Sequence, residues 1–535
     1  MKDLHSGISK CLLVQTKFSD YSFWNYQDVC KIIGKKYPAA PLGLLTVAAI
    51  LPQHWEFQLI DENVEPLLDE HLLRADLVCI GGMLPQQKSM LELIGRAHRM
   101  NCVVVVGGPD PTSQPDLYKD ADFLVMGEGE ISIPLFLDDL KKGATHGKYC
   151  SPEKADMQTA VVPRYDLIRF NDYIMIGLQY IRGCPFNCEF CDVIELYGRT
   201  PRFKTNEQVI LELQSLYDLG YRGHIDMVDD NFIGNKKKVK ELLRDMIVWS
   251  KAHKHPFYFT TEASVNLADD DELLQLMKDA DFRYVFLGIE TPDNDTLLLN
   301  KKTQNVGKSI TEAVMKILSY GMVSNGGYIM GFDSDRPHIA AQMITSIQDS
   351  GICMAMIGLL YALPNTQLTR RLEQEKRLFH LTSQSLRPED IDQMTSGLNF
   401  LTLTSRIGIL SCYIEVINAI FKPSNYYQRV VFTGLNIKPD YKHKPDFQTW
   451  LVYMRSFLRV CKSAGFSRET GWLYWKMFFT VIFRNPKGIE AAVNLAAMFI
   501  HFNKQKAYIV ALTRGMIADI EKTGEADFNK RMMGG

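Results

Sequence analysis

The feature that most constrains the fold is a regular alternation of short apolar runs and longer amphipathic stretches over the first two thirds of the chain. Short apolar runs bounded by glycine are typical of strands in a parallel sheet that is covered on both faces. The amphipathic stretches between them suit helices that carry the chain back to the next parallel strand. The sequence therefore predicts an α/β protein built from repeated strand–helix units.

The alternation falls into two series, at residues 1–150 and 165–390. The first predicts a doubly wound, Rossmann-like domain, whose ligands lie beyond the carboxyl ends of its strands. Its five predicted strands are Leu12–Gln15, Glu56–Ile60, Leu77–Ile80, Val103–Val106 and Phe123–Met126. The second predicts an open, partial (β/α)6 barrel with its chemistry at the carboxyl face. Its six predicted strands are Met175–Ile181, His224–Val228, Phe257–Thr261, Tyr284–Gly288, Gly327–Met330 and Met354–Leu359.

Residues 391–535 have a different pattern, which predicts a mainly helical third region. Within it, Trp472–Phe483 is apolar almost all round and Ile489–Phe502 nearly so, but both are too short to span a bilayer. Two interpretations of Trp472–Phe483 remain open. It is either a buried helix that packs on the barrel, or an interfacial helix or apolar tunnel that admits a substrate.

Charge and cysteine content limit the class of protein. The chain has 60 basic and 62 acidic residues without a basic stripe, which argues against a nucleic-acid partner. Its 11 cysteines and the polar start at Met1–His5, which lacks the core of a signal peptide, predict a reducing cytoplasm. A peripheral position at the inner face of the membrane is compatible with this expectation.

Glycines follow three strands of the first series, at Gly81-Gly82, Gly107-Gly108 and Gly127-Glu128. A tight turn from strand to helix requires glycine for its own sake. Three such loops at one edge of a sheet also allow the backbone to approach a bulky ligand. The pattern favours a large ligand and does not identify it.

Three cysteines, Cys184, Cys188 and Cys191, follow the first strand of the second series with the spacing C-x3-C-x2-C. Thiolates select iron–sulfur clusters, zinc or copper(I). No fourth cysteine is close in sequence, so a four-iron cluster held here keeps one iron open to another molecule. A structural zinc ion would need a fourth ligand from elsewhere, such as a distant cysteine or His224. The spacing favours the cluster.

Acidic residues end three successive strands of the second series: Asp229 and Asp230, then Glu262, then Glu290. Carboxylates in these positions can accept hydrogen bonds from a ligand. The alternative for each one is a helix cap or a structural ion pair. Their recurrence at one edge favours a ligand.

The motif C-x3-C-x-aromatic-C on the first strand of a partial barrel resembles that of the radical S-adenosylmethionine superfamily. The resemblance implies that Cys184, Cys188 and Cys191 hold a [4Fe–4S] cluster and that S-adenosylmethionine chelates its open iron. It also implies that Phe190 packs near the adenine and that Asp229, Asp230, Glu262 and Glu290 contact this cofactor. A reductase or ferredoxin-type protein would supply the electron, and the cofactor a radical that attacks an unactivated carbon.

The domain ahead of the barrel resembles the cobalamin-binding branch of this superfamily. The match includes Ala40–Leu44, Leu59–Asn63 and the glycine loops, and it implies that Gly81, Gly82, Gly107, Gly108, Gly127 and Glu128 bind cobalamin. The chain is most similar to the hopanoid methylase-like group, through Val228–Lys236, Gly331–Asp335 and Pro423–Tyr427. The D-x-H-x-x-G motif for cobalt is absent, and His54 and His71 are interpreted as surface residues.

These resemblances imply C-methylation of an unactivated carbon, in a lipid-like substrate of the hopanoid or isoprenoid type. A second hypothesis keeps both cofactors but forms a ring or a carbon–carbon bond without methyl transfer. A third is a non-catalytic sensor, against which the acids at successive strand ends argue.

Overall fold

The computed structural model describes residues 8–18, 22–23, 25–379, 392 and 394–534. The expectation drawn from Met1–His5 and the predicted boundary at residues 390 and 391 lie outside these residues. The strands, numbered in chain order, are β1 (Lys10–Gln15), β2 (Tyr37–Ala39), β3 (Glu56–Asp61), β4 (Leu77–Gly81), β5 (Val103–Gly107), β6 (Phe123–Val125), β7 (Gly147–Tyr149), β8 (Tyr173–Leu178), β9 (Ile181–Arg182), β10 (Arg202–Phe203), β11 (Gly223–Met227), β12 (Phe257–Ser264), β13 (Phe282–Glu290), β14 (Val323–Met330) and β15 (Ala355–Leu359).

Helices connect the strands and form the C-terminal region. Those before residue 380 are Gln27–Ile33, Leu42–Ile50, Asp69–Arg74, Gln87–Arg99, Pro109–Ser113, Gly129–Lys141, Val193–Leu196, Asn206–Asp218, Lys236–Ala252, Asp271–Asp279, Asn294–Leu299, Ile310–Ser319, Ile339–Ser350 and Gln367–Gln374. Those after it are Arg406–Ile420, Pro423–Asn436, Phe447–Gly465, Gly471–Arg484, Ile489–Thr523 and Glu525–Met532.

The first sheet is parallel, with the order β3-β1-β4-β5-β6-β7. It contains the five predicted strands and adds β7, which has too few apolar residues to be found from its pattern. Side chains alternate between two apolar cores: Leu12 and Val14 pack on one face, and Cys11 and Leu13 on the other. The doubly wound, Rossmann-like fold of this unit is confirmed.

The second sheet is also parallel, with the order β15-β14-β13-β12-β11-β8-β2. All six predicted strands are present, so the partial barrel is confirmed. The seventh, β2, comes from the first 150 residues and pairs with β8 through Tyr37 beside Tyr173 and Ala39 beside Met175. A three-residue strand with a central proline has no alternation by which the sequence could reveal it.

The C-terminal region is helical, as expected. The Gly471–Arg484 helix packs on the protein through the buried Tyr474, Met477 and Val481, whereas Trp472 and Phe483 are exposed.

The segment predicted at Ile489–Phe502 is the first part of a 35-residue helix, Ile489–Thr523. Within the described ranges, no single helix has the length and apolar character needed to cross a membrane. Two helices, Arg406–Ile420 and Pro423–Asn436, reach those limits only as a pair, with a bend of 57° between them.

Buried ion pairs join the carboxyl ends of the two sheets. Glu128, in the loop after β6, accepts hydrogen bonds from Arg182 at 2.8 Å and from both terminal nitrogens of Arg202 at 2.8 Å. Arg182 also donates to Glu130 at 2.9 and 3.0 Å. The Glu128 side chain is only 1% exposed. The carboxyl ends of the two sheets therefore face each other, and charge-assisted hydrogen bonds hold them in that position.

Replacing Glu128 with glutamine should lower the free energy of unfolding by about 3 kcal/mol, because it leaves buried arginine charge without its partner. Urea denaturation of the purified chain measures this loss. Glu70→Gln is the matched control, since its contact with Arg74 at 3.9 Å is exposed, and it should change stability very little. Equal midpoints for Glu128→Gln and wild type would show that the pairs do not stabilise the fold.

Candidate active site

A tight turn begins the cysteine loop. Gly183 has φ +89°, and a Cβ there would lie 2.9 Å from the carbonyl oxygen of Gly198, so only glycine fits. The next residue, Cys184, donates its backbone N–H to the same oxygen at 3.3 Å, and the Cys191 N–H donates to the Cys188 carbonyl at 3.3 Å. The loop thus curls directly above the end of β8 and β9.

The three predicted cluster ligands lie in this loop as free thiols, with Cys188 buried and Cys184 and Cys191 half-buried. Burial is the largest cause that raises the pKa of each thiol, and the positive charge of Lys302 acts in the opposite direction. The side-chain amide of Gln304 also approaches the Cys188 sulfur, at 3.8 Å. The positive charge of Lys302 and the N–H donor of Gln304 therefore favour the thiolate form, which burial opposes.

Phe190 lies within the same loop. Its half-buried ring makes an edge contact with Phe332, at 5.8 Å between ring centroids. This places an aromatic surface beside the thiols.

The zinc alternative needs a fourth protein ligand beside the three cysteines. Among the described residues no three histidine, cysteine, aspartate or glutamate side chains are arranged as around one metal ion, the three cysteines of the loop included. His224, the histidine considered as a fourth ligand, lies near the amino end of β11, where its Nε2 is 3.1 Å from Thr260 Oγ1. That end is opposite to the cysteine loop.

A buried ion pair lies next to the thiols. Lys302 Nζ is 2.6 Å from Glu290 Oε1, and Glu290 has φ +70°, which is unusual for a residue with a side chain. Asn305 stabilises this turn by donating to the carbonyl oxygens of Gly288 and Ile289. Glu290 was predicted as a site residue. Lys302 was missed, because a lysine in the run Asn300-Lys301-Lys302-Thr303 has the pattern of a solvated loop.

Asp229 and Asp230 hold the backbone that leads into the cysteine loop. Asp229 Oδ1 accepts the N–H groups of Tyr180 and Ile181 at 2.7 and 2.8 Å, and Asp230 Oδ2 accepts that of Gly183 at 3.1 Å. Burial nevertheless raises the pKa of Asp229 to about 8 and that of Asp230 to about 6. Both carboxyls therefore position the loop, and Asp230, which is half-buried, also faces the site.

Glu262 lies on the inner surface of the barrel with a second acid, Asp226. Asp226 accepts a hydrogen bond from Thr260 Oγ1 at 2.7 Å, and burial raises its pKa. Burial, together with Asp226, Asp230 and Asp229, raises the pKa of Glu262 to about 8. The sequence pointed to acids at strand ends and so missed Asp226, whose only signal is a charge in the middle of a buried strand.

Three buried polar atoms in this region have no protein partner: Asp229 Oδ2, Asn231 Oδ1 and Gln304 Oε1. The side-chain amides of Asn231 and Gln304 interact with the thiols of Cys184 and Cys188, respectively. Buried polar groups are normally hydrogen-bonded, so these atoms mark a place built for a polar ligand. The donor set fits a thiolate-bound cluster with a charged, hydrogen-bonding molecule on its open iron.

The glycine loops lie together at the carboxyl edge of the first sheet. A Cβ on Gly108, which has φ +102°, would come within 2.9 Å of the Gly82 backbone, so these two loops pack directly on each other. Gly81, Gly82, Gly107, Gly108 and Gly127 are all half-buried along this edge, and the neighbouring Met83 is 48% exposed. Open backbone next to an exposed apolar side chain fits a corrin ring with amide arms.

Two histidines and Glu128 are placed differently from this edge. His54 precedes β3 and His71 lies in the Asp69–Arg74 helix, both toward the amino ends of the strands. Glu128 points into the ion pairs with Arg182 and Arg202, so its carboxylate is already engaged by protein.

Replacing Glu262 with glutamine should flatten the dependence of stability on pH. The raised pKa of Glu262 means that the folded state binds a proton that the unfolded state releases above about pH 4.5, so wild type loses stability as pH rises toward 8. The variant cannot titrate, and its slope in this window should be smaller by up to about 1.4 kcal/mol per pH unit. Urea denaturation of the cofactor-free chain at several pH values measures this, with Glu521→Gln as the surface control. Identical slopes would contradict the environment described for Glu262.

Family models match three parts of the chain. The B12 binding domain matches residues 34–137, the radical SAM superfamily matches residues 178–341, and a domain of unknown function, DUF4070, matches residues 366–512. The first two fall within the doubly wound unit and the partial barrel, respectively.

Named relatives cover most of the chain. A protein named uncharacterized methyltransferase, from Synechocystis sp., is 40% identical over 496 residues, which are 92% of this chain and 91% of that protein. Hopanoid C-2 methylase of Rhodopseudomonas palustris is 38% identical over 344 residues, 64% of this chain and 65% of that protein.

Solved structures share the fold. The radical S-adenosylmethionine methyltransferase TsrM from Kitasatospora setae, with cobalamin and a [4Fe–4S] cluster bound, aligns with a TM-score of 0.61 at 14% identity and covers 84% of this chain and 99% of that one. The cobalamin-dependent enzyme OxsB aligns with a TM-score of 0.58 at 15% identity over 99% of this chain and 84% of that one.

The chain's cofactors follow from this family: a [4Fe–4S] cluster, S-adenosylmethionine and cobalamin. When bound, the first two together supply a radical and the third carries a methyl group. The protein's own residues provide the thiolates, position their loop and bring the two sheet edges together. The chain belongs to the cobalamin-binding radical S-adenosylmethionine family and is a cobalamin-dependent radical methyltransferase.

Proposed function

We propose that this enzyme methylates an unactivated carbon of a lipid-like substrate of the hopanoid or isoprenoid type. The observation that carries the proposal is the inner surface of the barrel, which is divided into an apolar and an acidic half. Similarity to the relative named hopanoid C-2 methylase supports the same substrate class. A substrate of this class resides in a bilayer, so the proposal includes work at a membrane surface.

The apolar half is formed by β13, β14 and β15. Phe286, Ile329 and Met356 are half-buried there, whereas their neighbours on the outer surface, such as Val285 and Leu287, are fully buried under helices. Gly288 and Gly327 pair side by side between these strands, and the Phe286 ring lies directly over Gly327. An apolar wall with small residues suits a rigid hydrocarbon skeleton.

The acidic half is formed by β11 and β12. Asp226 and Glu262 point to the same interior, and the raised pKa of Glu262 keeps it protonated and uncharged at neutral pH. An uncharged acid beside the apolar wall would donate a hydrogen bond without the cost of burying a charge next to hydrocarbon. We assign it to the junction between the cofactor's polar groups and the substrate.

Roles for the remaining site residues follow from their positions. Asp230 and Glu262 would accept hydrogen bonds from S-adenosylmethionine, and Lys302, held by Glu290, would face its carboxylate beside the cluster. Asp229 would position the loop through Oδ1 and leave Oδ2 for the ligand. A ferredoxin-type donor would approach the cluster beside the half-buried Cys184 and Cys191.

Replacing Cys188 with alanine should abolish the brown colour of the reconstituted cluster and the cleavage of S-adenosylmethionine together, because two thiolates cannot hold the cluster. The visible absorbance of the reconstituted [4Fe–4S] centre measures the first property. Release of 5′-deoxyadenosine after anaerobic reduction with dithionite measures the second. Cys150→Ala is the control, because Cys150 is exposed and lies outside the loop, and it should retain both. Cleavage by Cys188→Ala at the wild-type rate would refute the cluster assignment.

Methyl-labelled S-adenosylmethionine tests the reaction and its substrate class. The reconstituted enzyme, incubated with detergent-dispersed lipid extract from cells that lack this protein, should transfer label to the hopanoid or isoprenoid fraction. Mass spectrometry would locate the added methyl group. Formation of 5′-deoxyadenosine with an altered but unlabelled lipid would favour ring or carbon–carbon bond formation, and label only in a polar product would exclude a lipid-like substrate.

A further inference from the structure

Two consecutive helices of the C-terminal region, Phe447–Gly465 and Gly471–Arg484, carry large apolar side chains that no described residue covers. On the second helix, Trp472 is 79% exposed and Phe483 80% exposed. On the first, Phe447 is 69% exposed and Leu458 63% exposed. Large apolar side chains gathered at this exposure on one part of a surface mark an interaction site.

The two helices form an antiparallel hairpin. Phe457 contacts Phe478 at 5.9 Å between ring centroids, and Phe466 contacts Trp475 at 6.3 Å, so positions advance in opposite directions along the seam. In such a pair, residues one position after the contacting residues lie on the same side of the seam. The exposed side chains of the two helices therefore belong to one surface, which we call the hairpin face. Its apolar members are Phe447, Trp450, Met454, Leu458, Trp472, Phe479 and Phe483.

The hairpin itself is firmly anchored beneath this face. Tyr474, Met477 and Val481 are fully buried, the Tyr474 hydroxyl is 3.3 Å from the Cys461 sulfur, and Trp475 donates its ring N–H to the Gly465 carbonyl at 2.9 Å. The exposed aromatics are thus held on a rigid support, and their exposure does not come from loose packing.

The charge of this segment is opposite to that of the rest of the chain. Residues 441–488 contain nine basic and two acidic residues, although the whole chain has a net charge of −2. The basic residues are Lys442, Lys444, Arg455, Arg459, Lys462, Arg468, Lys476, Arg484 and Lys487, and the acidic residues are Asp446 and Glu469.

Two of these cations lie within the exposed stripe of the second helix. Lys476 and Arg484 alternate there with Trp472, Phe479 and Phe483, and the ion pairs of the described residues include neither cation. Aromatic side chains beside unpaired cations fit a surface that has hydrocarbon below negatively charged head groups.

The face also connects to the barrel. Tyr453, on the Phe447–Gly465 helix, is close enough to Tyr258 and Tyr221 to affect their ionisation. Tyr258 lies on β12, and its ring is 4.8 Å from that of His224 on β11. The hairpin therefore lies at the amino end of the barrel, away from the edge where the two sheets meet, and leaves the cofactor edge free.

We infer that the hairpin face binds the surface of an anionic lipid bilayer, with its aromatic side chains at the boundary between head groups and hydrocarbon and its lysines and arginines among the head groups. The inference deepens the proposed function. It rests on that proposal only for the premise that the enzyme works at a membrane surface. A second copy of this chain and a soluble partner protein are the competing occupants.

Sedimentation with vesicles tests the inference. The full-length holoenzyme is mixed with vesicles of phosphatidylcholine alone, or with phosphatidylglycerol added, both free of hopanoid and isoprenoid lipids. Wild type should bind the anionic vesicles, and increasing salt should weaken that binding. The double variants F479S/F483S and K476E/R484E should each bind at least about tenfold more weakly.

Matched controls make the same chemical changes elsewhere. L211S/V248S removes two exposed apolar side chains from barrel helices, and K237E/K251E reverses two exposed lysines, so both should bind as wild type does. Equal binding by the hairpin variants and the controls would overturn the inference. So would a wild-type dimer in sedimentation velocity that F479S/F483S disperses, or no wild-type binding to anionic vesicles.

Vesicle binding needs no substrate, and label transfer to detergent-dispersed lipid needs no vesicle. Binding without methylation of any lipid would therefore refute the proposed substrate and leave the membrane face intact. Methylation of dispersed lipid by an enzyme that ignores anionic vesicles would do the reverse.

Discussion

The position of the cysteine loop depends on carboxylates that reach it from two sides. From within the barrel, Asp229 and Asp230 accept the N–H groups of Tyr180, Ile181 and Gly183, so the backbone on the amino side of the first cysteine is fixed. From the other unit, Glu128 and Glu130 bind Arg182 between them. The residue that precedes the turn into the thiols is therefore also the residue that joins the two sheets.

This arrangement fixes the distance between the carboxyl ends of the two sheets, and catalysis depends on that distance. When bound, the cluster with S-adenosylmethionine and the cobalamin would have to serve one substrate carbon, and small displacements are costly to catalysis. Charge-assisted hydrogen bonds with little exposure maintain a separation better than an apolar interface, because their geometry is directional. The same enclosure buries Asp229, Asp230 and Glu262 and so raises their pKa values. Lys302 supplies the positive charge that thiolates in a buried site require.

The sequence predicted those parts of the fold that depend on continuous patterns. Runs such as Val103–Val106 determine buried parallel strands by themselves, and the cysteine spacing determines a loop. Short elements escaped prediction, because β2 and β7 have three residues each and depend on neighbours for their pairing. The sequence predicted the site residues to a similar extent: it indicated positions at strand ends but not the partners that lie far away in sequence. Glu128 was found at a strand end, but its partners lie 54 and 74 residues away, and only the fold reveals that they engage it.

The path of the N-terminal segment has a consequence for how the molecule assembles. Tyr37–Ala39 adds an edge strand beside β8, and the Gln27–Ile33 helix lies against the last helices of the chain, where Lys504 binds Asp28 at 2.6 Å across 476 residues of sequence. The Gln27–Ile33 helix thus meets Lys504 only after a further 476 residues have been synthesised. Contacts of such long range slow folding. They also make the folding of each unit depend on the others, so the units do not fold independently one after another.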